Sequence, residues 1–217
     1  MHKLSPSSLS LMKECPRCFW LTHHDVWKRP QGIFPSLPSG MDNILKKHFD
    51  RFMEKGGLPP ELRKTELKEC KLFDDKDKLE TWRNNRKGIR YEDENGNVLC
   101  GAVDNILIRN NKLIVLDYKT RGFPLKEDTH EYYQDQMDIY NFLLRKNGYI
   151  TEEHAYLLFY YPDKINETGE VLFNTELKRI KINIKNGEDI FVKGLKLLEK
   201  ECPKEKCEWC GGVKNEI

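Results

Sequence analysis

Three charged residues in the middle of the chain have the types and spacing expected for metal-dependent hydrolysis. They lie in the segment GAVDNILIRNNKLIVLDYKTRG. If the chain turns at Asn110 and Asn111, Asp104 and Asp117 lie on antiparallel neighbouring strands and converge on one point. Lys119 projects from the same face as Asp117, because side chains two residues apart in a strand share a face. The sequence therefore predicts a site with two carboxylates and one ammonium group.

Such a site suits the hydrolysis of phosphodiester bonds. Two carboxylates bind a hard cation such as Mg²⁺ or Mn²⁺ and leave positions for water and a phosphate oxygen. Lys119 would position the water or stabilise developing charge, and the Tyr118 backbone carbonyl is a natural further ligand. An isolated Asp-x-Lys is usually an exposed strand face with a weak ion pair. Here apolar runs lead into both Asp104 and Asp117, so both acids would emerge from a buried sheet, where they need a partner.

A glycine three residues before an Asp, a hairpin and then Asp-Tyr-Lys-Thr resembles the PD-(D/E)XK nucleases, specifically their RecB-like branch. That branch also has Gln-x-x-x-Tyr on a helix after the lysine, which Gln136 and Tyr140 match. Residues four apart on a helix share a face, so both side chains can point into the cleft. Alone, the pair would indicate a solvated Gln136 and a core Tyr140. The resemblance implies an α/β fold, a restriction-endonuclease-like mixed β-sheet flanked by helices, with the metal site at one edge.

The resemblance also implies a His or Glu ligand on the helix before the sheet, shortly after a glycine. This sequence departs from that pattern, because an apolar residue follows Gly40 where the ligand is usual. The polar alternatives on this helix are Asp42, His48 and Asp50. A single histidine on a helix is more often a surface residue than a metal ligand. His48 is therefore the less favoured candidate for the third ligand. The sequence leaves the third ligand open.

Two C-x-x-C pairs stand at opposite ends of the chain, Cys15 with Cys18 and Cys207 with Cys210. This spacing lets both thiolates of a pair reach one metal, and a shared metal would clamp the first helix to the C-terminal tail. Cys202 is an alternative ligand in place of Cys18. The resemblance extends to RecB-like nucleases with a four-iron cluster, although those usually have a further late cysteine. It implies a [4Fe-4S] cluster here, with Zn²⁺ as the alternative that such thiolate sites also accept.

Charge and composition limit where a polyanion could bind. The chain has 217 residues, 38% hydrophobic and 33% charged, which is typical of an ordered globular protein. A formal net charge of only +2 means that any nucleic-acid site must be local. Basic clusters around Lys46 and around Arg83 could contact phosphates, although such clusters are more often solvated surfaces. We expect one domain over residues 1–217, in which 1–40 and 200–217 form a cysteine lobe.

No segment has the pattern of a membrane span or a secretory signal. The first ten residues lack a basic start and an apolar core, and no apolar run reaches membrane-spanning length. We therefore expect a cytoplasmic protein. The seven cysteines are then reduced, and their spacing indicates metal ligation or simple burial.

Hydrophobic periodicity predicts the elements that position these residues. An opening helix runs from the first serines to Phe19, residues 29–40 are a connector, and residues 64–86 form a link without an assigned element. The other predicted elements are a helix over 41–53, a three-stranded meander of 88–92, 98–108 and 113–118, a helix over 128–147, strands over 155–161 and 177–184, and a helix over 188–199.

Together these patterns predict a metal-dependent DNA nuclease, an exonuclease on single-stranded DNA or DNA ends as the RecB-like enzymes are. The expected partners are DNA and a helicase or another protein of a repair or CRISPR-type system. A rival hypothesis is a DNA-binding subunit of a repair complex that keeps the fold but depends on a partner for activity. A third is a nuclease directed at RNA.

Overall fold

The computed structural model describes residues 1–213, which form two β-sheets flanked by helices. The elements in chain order are β1 (Lys3–Leu4), α1 (Pro6–Glu14), α2 (Pro16–His23), α3 (Ser36–Glu54), α4 (Pro60–Arg63), β2 (Lys71–Leu72), α5 (Lys76–Arg83), β3 (Ile89–Glu92), β4 (Val98–Gly101), β5 (Asn105–Arg109), β6 (Lys112–Thr120), a 3₁₀ turn (Thr129–Tyr133), α6 (Gln134–Lys146), β7 (His154–Ile165), β8 (Val171–Lys181) and α7 (Ile184–Leu198). The last four residues of the expected cysteine lobe lie outside the described residues.

The larger sheet is mixed and has the order β2-β5-β6-β7-β8. Its central pair, β6 and β7, is parallel, and its other neighbours are antiparallel. The smaller sheet has the order β1-β4-β3, with β1 parallel to β4. The expected α/β class, a mixed sheet flanked by helices in the manner of restriction endonucleases, is confirmed. None of the described helices has the length and apolar character needed to cross a membrane.

The predicted three-stranded meander is wrong, because residues 98–108 form two strands in different sheets. β4 pairs with β3, whereas β5 pairs with β6, and the chain crosses from one sheet to the other through residues 102–104. The break follows Gly101, where a Cβ would lie 2.8 Å from the ring of Tyr140. The predicted turn of the β5–β6 hairpin is confirmed, since Asn110 and Asn111 have φ of 50° and 61°.

The N-terminal helices also differ from the prediction. The opening helix is two helices, because Cys15 is extended (φ −155°) and caps α2, which begins at Pro16. The helix predicted from Met41 begins at Ser36 and includes part of the expected connector. Pro38 fits there because the first turn of a helix needs no donor at that position. The unassigned link contains β2 and α5.

The larger sheet separates two apolar clusters. On one side, α1, α2, α5, α6 and α7 pack together, and Leu113 and Val115 of β6 enter this cluster. On the other side, α3 and α4 pack against Ile114 and Leu116. Strand alternation therefore turns every second residue of β6 towards α6. This places the side chain of Asp117 on the α6 side of the sheet.

Candidate active site and cysteine centre

Asp117 and Lys119 meet two side chains of α6. The Asp117 carboxylate is 2% exposed and forms an ion pair with the Lys119 ammonium. Lys119 Nζ also donates a hydrogen bond to Gln136 Oε1 at 3.1 Å, and Gln136 Nε2 donates to Tyr140 Oη at 2.7 Å. Four residues selected from the sequence thus form one connected polar chain. Tyr140 is buried and orients Gln136, which in turn orients the lysine.

Asp104 reaches the same cleft from the crossover between β4 and β5, and so it lies beside a strand rather than on one. Its Oδ2 accepts a hydrogen bond from the backbone N–H of Tyr118 at 2.9 Å. Asp104 and Asp117 both line a cavity of about 380 Å³, and Tyr118 lines it as well. The two carboxylates therefore converge on one space, as a shared cation requires. The role of the Tyr118 carbonyl as a ligand stays a prediction.

Burial makes the charge on Asp117 unfavourable. Desolvation raises the pKa of this carboxyl to about 7, and nearby Asp104 adds to the effect while Lys119 opposes it. Burial lowers the pKa of Lys119, but the charge and hydrogen bond of Asp117 together with the charge of Asp104 more than offset this, so the net shift is upwards. Asp117 Oδ2 is the oxygen that pairs with the Lys119 ammonium, so one cation already faces this buried carboxylate. A divalent cation would further offset the charge of Asp117 and of nearby Asp104, and two carboxylates on one cavity are a donor set that fits such an ion.

Lys46 and Asp42 of α3 form the other wall of the cleft. Lys46 Nζ lies 2.8 Å from Asp42 Oδ2 and 3.2 Å from Asp104 Oδ1, so the ammonium bridges the two carboxylates. Of the polar alternatives on the helix before the sheet, Asp42 is the one placed in the cleft. Sequence reasoning grouped Lys46 with a surface basic cluster. The i,i+4 spacing of Asp42 and Lys46 was the signal that could have linked them.

The other two alternatives have partners elsewhere. His48 Nε2 lies 3.0 Å from Glu61 Oε1, away from the residues that line the cleft. Asp50 accepts a hydrogen bond from Arg83 Nη1 at 2.8 Å. Arg83 Nε also donates to the backbone oxygen of Asp104 at 2.7 Å. Arg83 therefore holds the crossover that carries Asp104, a role that its basic neighbours in the sequence did not suggest.

The cysteines from the two chain ends lie together. The Sγ atoms of Cys15, Cys18, Cys207 and Cys210 are all within 4.8 Å of one another, and none is in a disulfide. Three of the separations are 3.4 Å for Cys18 to Cys207, 3.7 Å for Cys207 to Cys210 and 3.9 Å for Cys15 to Cys210. Four thiolates around one point could hold a metal. Cys202 lies outside this group, and its Sγ accepts a hydrogen bond from Arg17 Nη1 at 3.1 Å.

Comparison with known proteins identifies a family. No curated protein matches the sequence. Among solved structures, the chain is similar to one described as "Crystal structure of SSO0001", at 15% sequence identity and a TM-score of 0.43, over 93% of this chain and 78% of that one. The family description that matches is the PD-(D/E)XK nuclease superfamily, over residues 34–211. This match spans most of the chain and all of the cleft residues named above, so the chain belongs to the PD-(D/E)XK nuclease superfamily.

Proposed function

We propose that this protein is a DNA nuclease that needs Mg²⁺ or Mn²⁺ and hydrolyses phosphodiester bonds at the cleft between β6, α3 and α6. The observation that supports this most is the convergence of Asp104, Asp117 and Lys119 on one cavity, where the Asp117 carboxylate is 2% exposed. When bound, the cation would polarise the phosphoryl group and lower the pKa of a water molecule. Asp104 and Asp117 would hold that cation.

The remaining cleft residues have positioning and charge-stabilising roles in this proposal. Lys119 donates to the phosphate or to the attacking water, and its ammonium is fixed by Gln136, which is fixed by Tyr140. Lys46 leaves its bridge between Asp42 and Asp104 and contacts a non-bridging phosphate oxygen. Asp42 then serves as the third acidic group of the site. His48 has no part in this site because it pairs with Glu61.

A single strand or a DNA end is the substrate form that the surroundings of the cleft favour. Tyr132 is 81% exposed and lines a cavity that also includes Gln136, so its ring is free to stack on an unpaired base. Tyr133 is not free in this way, because its ring packs 4.6 Å from Lys119 Nζ. Tyr140 is buried. Action as an exonuclease in the cytoplasm, within a DNA-repair or CRISPR-type system, belongs to the same proposal.

For the cysteine centre we propose a single Zn²⁺ ion bound by Cys15, Cys18, Cys207 and Cys210. A tetrahedral ion at about 2.3 Å from each sulfur places the sulfurs about 3.8 Å apart, which matches the separations of 3.4–3.9 Å. A [4Fe-4S] cluster is larger than one ion, and its ligands would have to move apart to hold it. Metal analysis tests this: zinc near one equivalent in a colourless protein agrees, whereas a brown protein with iron and sulfide contradicts it.

A nuclease assay on defined substrates tests the main proposal. Purified protein with Mn²⁺ is incubated with labelled single-stranded DNA, duplex DNA and RNA of the same sequence. We expect cleavage of single-stranded DNA that Asp117→Ala and Lys119→Ala abolish. Asp163→Ala, which removes an exposed carboxylate outside the cleft, is the matched control and should retain activity. Cleavage that survives Asp117→Ala, or that is confined to RNA, would contradict the proposal.

One observation favours a second candidate, a DNA-binding subunit that relies on a partner such as a helicase or another repair protein. The Lys46 ammonium lies between Asp42 and Asp104, where it competes with a cation for both carboxylates. If this bridge persists in solution, the protein alone would bind DNA without cutting it. Binding without cleavage in the same assay, restored by Lys46→Ala or by a partner, would favour this candidate.

A further inference from the structure

A groove between α1 and α7 is lined by lysines over an apolar floor. Its cavity measures about 620 Å³, and Met12, Val192 and Leu197 form the floor. The lysines at its edges are Lys13, Lys193, Lys196 and Lys200. This groove is separate from the cleft that contains Asp117, and none of its residues has a role in the proposed cleavage.

Three of the four groove lysines lack an ion-pair partner among the described residues, whereas Lys13 is paired with Asp135. Lys193, Lys196 and Lys200 are exposed and form no ion pair among residues 1–213. One acidic residue, Asp189, lines the groove, and Lys185 lies 3.8 Å from it. Favourable interaction with the helix dipole accounts for a lysine in the last turn of α7. The helix dipole does not account for Lys13, which belongs to α1. It also does not account for the apolar floor, where Val192 is 40% exposed.

Neighbouring cavities lead from the catalytic cleft towards this groove. The cleft shares Asn85, Gln136 and Tyr140 with a cavity at the start of α1, and Ser7 lines both that cavity and the next one. The last of these includes Tyr132 and Asp135. Asp135 forms an ion pair with Lys13, the first lysine of the groove.

The path therefore follows α1 from its first turn to its last. From Ser7 to Lys13 the helix rises about 9 Å, which corresponds to about three nucleotides of a stacked strand. A polyanion that enters the cleft can thus reach the lysines without leaving the protein surface. An acidic protein could also bind the lysines. Such binding would not explain why the neighbouring cavities lead from the groove to the catalytic carboxylates.

We propose that the lysine groove is a second binding site for the substrate strand, where Lys13, Lys193, Lys196 and Lys200 contact backbone phosphates several nucleotides from the cleavage site. The identity of the strand rests on the proposed nuclease function. The apolar floor packs against sugars or bases, while the lysines release counterions from the phosphates. A strand too short to span α1 cannot occupy the cleft and this site at the same time.

Strand length separates this site from the cleft. Binding of fluorescein-labelled oligothymidylates of about 4 and about 16 nucleotides is measured by anisotropy without Mg²⁺ or Mn²⁺. The variant Lys193→Ala/Lys196→Ala/Lys200→Ala should weaken binding of the long strand at least about tenfold and reduce its salt slope by about 2, at about 0.7 per lost contact. The short strand should lose less affinity than the long strand, because it cannot occupy the cleft and the lysines at once.

A matched control removes the same charge elsewhere. Lys55, Lys64 and Lys68 are exposed and follow α3 and α4, which pack on the opposite side of the larger sheet. Their triple alanine variant should bind both strands as the wild type does. Equal losses for both lengths, or equal losses in the two triple variants, would show a general field effect and overturn the proposal. The groove variant could instead bind both strands as the wild type does but lose binding of a decaglutamate peptide. That result would assign the groove to an acidic protein and would also overturn the proposal.

The outcome is independent of whether the protein cuts DNA. If the wild type cleaves nothing but shows the length-dependent loss, the nuclease proposal fails and the second binding site stands. If the wild type cleaves single-stranded DNA and the groove variant cleaves long strands with the wild-type KM, the groove proposal fails and the nuclease stands. All of the substituted lysines are exposed, so unfolding curves should coincide with the wild type and verify folding.

Discussion

Replacing Asp117 by asparagine should remove a pH dependence from the stability of the metal-free protein. In the unfolded chain this carboxyl has its ordinary pKa of 3.8, whereas burial raises the folded pKa to about 7. Between these values the folded state holds a proton that the unfolded state has released. The contribution of Asp117 to the free energy of unfolding therefore falls as pH rises from 3.8 to about 7, and it is constant above that range. Once the carboxyl is fully ionised, the free energy of unfolding is about 4 kcal/mol lower than it would be without the shift in pKa.

Urea unfolding at several pH values without added divalent cation measures this effect. Between pH 6 and pH 9 the free energy of unfolding of the wild type should fall by about 1.5 kcal/mol relative to that of Asp117→Asn. The variant also loses the counter-ion of Lys119, whose pKa burial then lowers, so the comparison includes a contribution from this lysine towards pH 9. Millimolar Mg²⁺ should stabilise the wild type more at pH 9 than at pH 6, because the cation binds the ionised carboxylate.

The control for this measurement is Asp163→Asn, which removes an exposed carboxyl and should follow the wild type. The reasoning would be refuted if the Asp117→Asn curve ran parallel to the wild type over the whole range. It would also be refuted if Mg²⁺ stabilised the asparagine variant as much as the wild type. Either result would mean that Asp117 is ionised at little cost or does not bind the cation.

Three further predictions concern packing, positioning and the cysteine centre. Gly101→Ala should lower the melting temperature in calorimetry, because its Cβ would lie 2.8 Å from the Tyr140 ring and such overpacking costs about 1–3 kcal/mol. Arg83→Lys should reduce the cleavage rate about tenfold to a hundredfold with an unchanged circular dichroism spectrum, since lysine cannot hold both Asp104 and Asp50. Cys207→Ser should reduce the bound metal from about one equivalent to nearly none in elemental analysis, and a retained ion would contradict the four-cysteine site.

The local part of the site could be predicted from sequence because it depends on short-range geometry. The Asn110–Asn111 turn and the alternation of β6 fix which side chains of the hairpin share a face. The spacing of Gln136 and Tyr140 likewise fixes their common direction on α6. These relations span a few residues, so the sequence alone determined which groups could act together.

The tertiary structure decided which distant groups join them. Asp42 and Lys46 enter the cleft because α3 packs across the sheet, and no periodicity in the sequence describes that packing. The chain leaves the smaller sheet after Gly101, where the ring of Tyr140 from a later helix occupies the space of a side chain. The sequence also allowed Cys202 as a ligand, and only the folded chain ends show which sulfurs lie together. Contacts between residues far apart in the chain are set by the packing of whole elements, which local patterns do not encode.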